Sequence, residues 1–235
     1  MINHIPARRI LVPMDFSPPA LHALSAAMAL ARRFNSVLQL LFVMEPETVI
    51  GMDPGGGSIA MFPPLAGASQ TLKGARERLK LVAAPYHGPT SIRTVVGTAV
   101  GMILRTIVRG RADLVVMGTH GRHGLERALF DSKAEAVVRR SPVPVLTVHS
   151  GQRPLHLRRL LCPFNLTSHA ERALLYACGL AREVEASVSV LYVRDQRTWE
   201  EDARLALKAK LRQLLGSRGS HLPLRIIEGR TPEVI

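Results

Sequence analysis

Three closely spaced glycines follow an apolar run in Val115-Val116-Met117-Gly118-Thr119-His120-Gly121-Arg122-His123-Gly124. A strand that runs into such a segment suits an anion. Glycine lets the backbone turn tightly and brings amide N–H groups near phosphate oxygens, and a helix N-terminus beyond adds partial positive charge. A ligand-free turn between strand and helix explains the same residues. No Gly-Lys-Ser/Thr follows and the spacing is not G-x-G-x-x-G, which disfavours Walker-type hydrolysis and a dinucleotide fingerprint. The second candidate is Asp15, directly after the apolar run Ile10-Leu11-Val12-Pro13-Met14. A carboxylate just past the end of a parallel strand faces the crevice where ligands bind, and accepts hydrogen bonds from ribose hydroxyls or an adenine amine. A turn or N-cap role competes, with Ser17 as the other candidate cap. Ser132 and Glu135 spell the capping box S-x-x-E, so Ser132 has a structural explanation of its own. His120 and His123 sit three apart without a cysteine or clustered carboxylates, so phosphate contact or solvent exposure is expected rather than a metal. No nucleophile stands beside a base, and no catalytic residue is nominated.

Alternating strands and helices must position these residues. Arg9 to Met14 is a short apolar run rich in branched side chains, as a fully buried strand requires. Helical spacing follows from Ser17 to Arg33, with Pro18 and Pro19 in the first turn and two arginines at the end. A second strand is predicted at Val37 to Val43, then a long irregular insertion from Glu45 to Gln70 containing Gly55-Gly56-Gly57 and Pro63-Pro64. Insertions of this length are usually lids or disordered segments. Further helices are predicted at about Thr71 to Ala84, Val100 to Arg109 and Ser132 to Arg140. Strands are predicted at Ile92 to Val96, Asp113 to Met117 and Val143 to Val148, with a glycine loop from Gly118 to Gly124. This alternation implies an α/β fold with a doubly wound parallel sheet.

The pattern then starts again. Arg8-Arg9-Ile10-Leu11-Val12-Pro13-Met14-Asp15 aligns without a gap on Arg158-Arg159-Leu160-Leu161-Cys162-Pro163-Phe164-Asn165, 150 residues on. Through Val43 and Val193, 13 of 36 aligned positions are identical and about half of the others stay apolar, so the chain contains a duplication. The second copy supplies strands at Leu160 to Phe164, Ser187 to Val193 and Leu224 to Ile227, with helices at His169 to Glu183 and Trp199 to Gly216. Gly229 matches Gly97 and Ile235 matches Ile103, leaving the third helix, fourth strand, glycine loop, fourth helix and fifth strand without a counterpart. Residues 1–150 read as a complete domain and 151–235 as a partial second one of three strands and two helices. Asn165 stands where the first copy has Asp15, keeping turn capacity without the charge.

Composition sets the outer limits. The 235 residues are 47% hydrophobic, enough for a real core, and no apolar run approaches the roughly 18 residues of a membrane span. The N-terminal segment has no apolar h-region, so a cytoplasmic protein is expected. Two cysteines, Cys162 and Cys178, fall in apolar periodic segments and read as core residues. The net charge of +13 attracts polyanions, but the basic residues are scattered in pairs and only 4% of residues are aromatic. Nucleic-acid binding beyond non-specific electrostatics is therefore not expected, and salt-sensitive heparin retention without sequence preference would confirm that reading.

In this order and context, the residues resemble the universal stress protein family in its tandem-domain form, over nearly all of residues 8 to 149 and half a domain from about 157. That family's ATP-binding members carry the pattern G-x2-G-x9-G-[S/T], which falls here on Gly118, Gly121, position 131 and Ser132, with Asp131 in place of the third glycine. The resemblance implies a five-stranded sheet of order 3-2-1-4-5. It implies ATP, with magnesium, as cofactor, and at most slow ATP hydrolysis. Pro13, Met14, Asp15 and Val43 would lie around adenine and ribose. Met117, Gly118, His120, Gly121, Ser132 and Lys133 would hold ribose and phosphates, with Asp131 among them. It also implies a homodimer through the Val143 to Val148 edge. A nucleotide-free interaction or scaffold protein of the same fold, its site impaired by Asp131, is the alternative.

Overall fold

A computed structural model describes residues 7–46, 49–52, 58–61, 67–119, 132–149, 157–194 and 200–229. Two compact units divide the chain, Pro6–Leu155 and a second from His156. In the first, the elements run β1 (Arg9–Met14), α1 (Pro18–Phe34), β2 (Val37–Met44), β3 (Val49–Met52), β4 (Ser58–Met61), α2 (Ala68–Ala83), β5 (Thr90–Val96), α3 (Ala99–Gly110), β6 (Leu114–Thr119), α4 (Ser132–Arg140) and β7 (Val145–His149). The sheet is parallel with order β5-β2-β1-β6-β7. Counting only its own five strands, that order is 3-2-1-4-5.

Because side chains alternate along a strand, β1 serves both faces of the sheet. Ile10, Leu11 and Val12 are all fully buried. Leu11 packs in one core cluster with Leu41, Val115 and Met117 of neighbouring strands and with Ile103, Ile107 and Val137 of α3 and α4. Helix α1 packs against β1, β6 and β7, and α2 against β5 and β2. Burying each Leu, Ile or Val here contributes roughly 1.5–3 kcal/mol.

The α2–β5 connection is pinned from below. Tyr86 is buried, and its hydroxyl donates to the Ser36 carbonyl at 2.5 Å, while the Ser36 hydroxyl donates to the Ala7 carbonyl. Burial raises the Tyr86 pKa above its usual value. Tyr86→Phe strands a buried acceptor, so a loss of about 1–2 kcal/mol is expected in urea denaturation. Unchanged stability would show that the hydroxyl contributes nothing there.

Several predicted elements shift. The segment 45–70 is not wholly irregular: β3 and β4 pair as an antiparallel hairpin, Val49 opposite Met61 and Met52 opposite Ser58, and α2 starts at Ala68. Strand β6 runs on through Gly118 and Thr119, which pair with Val148 and His149, so Gly118 is a strand residue rather than the start of a loop. Strand β7 begins two residues late because the Ser141 side chain closes a turn, accepting from Val143 N at 3.2 Å and donating to its carbonyl at 2.7 Å, with Pro144 next.

The second unit holds β8 (Arg159–Pro163), α5 (Ser168–Val184), β9 (Ser187–Arg194), α6 (Glu200–Leu215), a 3-10 turn (Gly216–His221) and β10 (Leu224–Glu228). Its parallel sheet, β10-β9-β8, fits a partial second copy of the first. The likeness reaches single dihedrals: Phe16 and Leu166 have φ of 64° and 63°, and Asn35 and Glu185 have 51° and 58°. Gly97 N–H donates to the Met44 carbonyl, and Gly229 N–H to that of Arg194. Cys162 lies in this unit's core with Cys178 packed against it, and burial pushes the Cys162 thiol up to about 11.

Candidate functional site

At the end of β1 the chain turns sharply. Phe16 occupies the left-handed region, an uncommon place for a bulky side chain. Two contacts hold it: its ring lies 5.7 Å from that of Phe42, and the Arg78 guanidinium sits 4.0 Å above its centroid. Asp15 Oδ1 accepts from Ser17 N at 2.9 Å, closing an Asx turn, and Ser17 Oγ accepts from Ala20 N at 3.4 Å as the N-cap of α1. Asp15 thus uses one carboxylate oxygen to shape the turn while its side chain remains at the surface.

Gly118 lies beside this turn for a packing reason. A Cβ there would come within 2.4 Å of the Pro19 carbonyl carbon and oxygen. Only glycine lets the first turn of α1 settle onto β6.

The C-terminal end of β2 contributes Glu45. Thr98 at the N-cap of α3 makes no side-chain cap bond, and the Ala99 N–H donates instead to Glu45 Oε1 at 2.7 Å. Glu45 Oε2 pairs with the Lys133 ammonium on the first turn of α4. The Lys133 hydrogen bond, and after it the Ala99 amide, hold the Glu45 carboxyl below its ordinary pKa.

These groups surround one cavity of about 140 Å³. Pro13, Met14, Leu41, Val43, Ile103 and Met117 give it apolar walls, and Asp15, Glu45 and Lys133 give it charge, with Gly118 among its lining. Full small-molecule pockets span about 300–1,000 Å³, so a ligand of that class would extend beyond the enclosed volume. The sheet order changes direction between β1 and β6, and ligands in open α/β sheets bind at such switch points.

Of the residues singled out in the sequence, Pro13, Met14, Asp15, Val43, Met117, Gly118 and Lys133 line this cavity together. Ser132 opens α4. His120, Gly121 and Asp131 lie outside the described residues. Sequence reasoning missed Glu45, which stands there only as the first residue of the insertion. Its signal is position: a carboxylate just past the end of β2, as Asp15 is past β1.

The second copy repeats the turn but not the charges. Asn165 Oδ1 accepts from Thr167 N at 3.3 Å and from its hydroxyl at 2.7 Å, and Thr167 caps α5. The adjoining hollow is lined by Pro163, Asn165, His169 and Val193, with no lysine or arginine among the described residues that line it.

Residues 6–149 match the universal stress protein family. The chain belongs to that family. It is 29% identical over 146 residues to a universal stress protein of Methanocaldococcus jannaschii, a match covering 62% of this chain and 84% of the relative. It is also 29% identical over 143 residues to universal stress protein A homolog 1 of Coxiella burnetii, covering 60% of this chain and 95% of the relative. Among solved structures, a universal stress protein from Archaeoglobus fulgidus aligns with a TM-score of 0.71 at 18% identity, covering 97% of this chain and 79% of that one. At that identity the likeness shows the fold. Among the described residues, no helix is long and apolar enough to cross a membrane, and no group of three or more His, Cys, Asp or Glu is placed to hold a metal ion.

Proposed function

We propose that this universal stress protein is a cytoplasmic stress-response protein that binds an adenine nucleotide, ATP with magnesium, in the first unit. It acts through a ligand-dependent change of conformation or partner. The observation that carries this reading is the convergence of Asp15, Gly118 and Lys133 on one apolar-walled cavity at the switch point of the sheet. Pro13, Met14 and Val43 would lie around the adenine and ribose, Asp15 would accept from the ribose hydroxyls, and Met117, Gly118 and Lys133 would hold the ribose and phosphates. His120, Gly121 and Ser132 would join Lys133 there.

Asp131 opposes this ligand. Two negative charges 4 Å apart repel by about 4 kcal/mol at an effective dielectric near 20. The sequence offers Lys133, Arg122 and Arg127 as charges that would offset part of that. Calorimetric titration with ATP and magnesium should show saturable one-to-one binding by the wild type and tighter binding by Asp131→Gly. Absence of binding by both at millimolar ligand would sink the proposal. One observation favours a nucleotide-free scaffold: Gly118 and Asp15 each have a complete structural task without a ligand. Binding only after Asp131→Gly would decide for that second reading.

A homodimer belongs to the same proposal. Among the described residues of the five-stranded sheet, β7 pairs with β6 alone, which leaves its outer edge without a strand partner there. Light scattering coupled to size exclusion should return twice the chain mass, and a monomer at every concentration would contradict the dimer.

A further inference from the structure

We infer that Glu45 is an internal anion that competes with a ligand's phosphates for Lys133 and the N-terminus of α3, and so sets how strongly the cavity prefers nucleotides over nucleosides. This rests on the nucleotide reading of the cavity and names the residue that regulates it.

The Glu45 carboxylate bridges two groups that attract anions, the first free amide of a 12-residue helix and an ammonium on another helix. Both are groups that a phosphate entering the cavity would seek, and both face the same hollow as Asp15 and Gly118. Thr98 makes no side-chain cap of its own, so α3 takes its cap from Glu45. The pair is not locked in the core: the Glu45 and Lys133 side chains are 40% and 52% exposed. An exposed ion pair is worth little, and a ligand carrying several negative charges displaces it. A nucleoside carries none, gains nothing by displacing it, and leaves the pair intact. Binding of a phosphorylated ligand therefore includes the loss of this contact, and binding of a nucleoside does not.

Glu45→Gln separates charge from capping, because the amide oxygen still accepts from Ala99 N while the negative charge is gone. The test titrates wild type and Glu45→Gln with ATP plus magnesium, AMP and adenosine, after thermal denaturation has shown that the variant is folded. ATP is expected to bind the variant roughly three- to tenfold tighter, AMP to gain less, and adenosine to stay within about twofold. Weaker ATP binding by the variant would make Glu45 a ligand, directly or through magnesium, and overturn the inference. An equal shift for ATP and adenosine would overturn it as well, leaving the nucleotide reading in place. Binding of none of the three by either protein would instead overturn the nucleotide reading, and this inference with it.

Discussion

Asp15→Asn is expected to weaken adenosine binding about tenfold to a hundredfold while changing the stability of the fold by no more than ~0.5 kcal/mol. The second copy of the fold supplies the reason. Asn165 closes the same turn, accepting from Thr167 N as Asp15 accepts from Ser17 N, and Leu166 adopts the φ of 63° that matches 64° at Phe16. An asparagine at position 15 therefore keeps the turn and the start of α1. What it loses is a charged acceptor, and hydrogen bonds to charged groups are worth about 1.5–3 kcal/mol. Adenosine is the cleaner probe, because removing a negative charge also relieves repulsion toward phosphates. Calorimetry and thermal denaturation on the same variant separate the two roles. A large loss of stability would mean that the charge itself supports the turn. Unchanged affinity would remove Asp15 from the ligand site.

Gly118→Ala is expected to cost about 3 kcal/mol of stability, at the upper end of what an inserted methyl group costs in a packed core. The added carbon would lie 2.4 Å from the carbonyl carbon and oxygen of Pro19 and 2.8 Å from its Cβ. A flexible side chain could swing aside at small cost. Pro19 cannot, because the collision is with the backbone of a helical first turn made of two successive prolines and capped by Ser17. Strand β6 is held too, since Gly118 pairs with Val148 of β7 and, earlier in the strand, Leu114 and Val115 pair with β1. Urea denaturation measures the loss. A variant as stable as the wild type would show that α1 and β6 separate at little cost.

Most of the fold is legible in the sequence because its signals are local. Buried parallel strands read as short branched runs, and α1 announces itself by helical spacing, two prolines at its start and two arginines at its end. The 150-residue repeat then carries the first strands and helices into the second unit. Gly118 is misplaced by sequence reasoning because a glycine reads as a turn, whereas a contact with Pro19, nearly a hundred residues away in sequence, is what requires it. The hairpin of β3 and β4 is hidden by composition: Val49-Ile50 and Ile59-Ala60-Met61 are too short to stand out beside Gly55-Gly56-Gly57 and Pro63-Pro64. Glu45 is hidden more deeply. Its partners Ala99 and Lys133 lie 54 and 88 residues further along the chain, and only the folded sheet brings all three to one cavity.

We propose occupancy of the cavity at the ends of β1, β2 and β6 by an adenine nucleotide. Its most direct test is a crystal structure of the chain grown with millimolar ATP and magnesium. The predicted result places the adenine among Pro13, Met14 and Val43, the ribose hydroxyls within hydrogen-bonding distance of the Asp15 carboxylate, and the Glu45–Lys133 pair opened by the phosphates. A nucleotide bound elsewhere, or an empty cavity with that pair still closed at this concentration, would contradict the account.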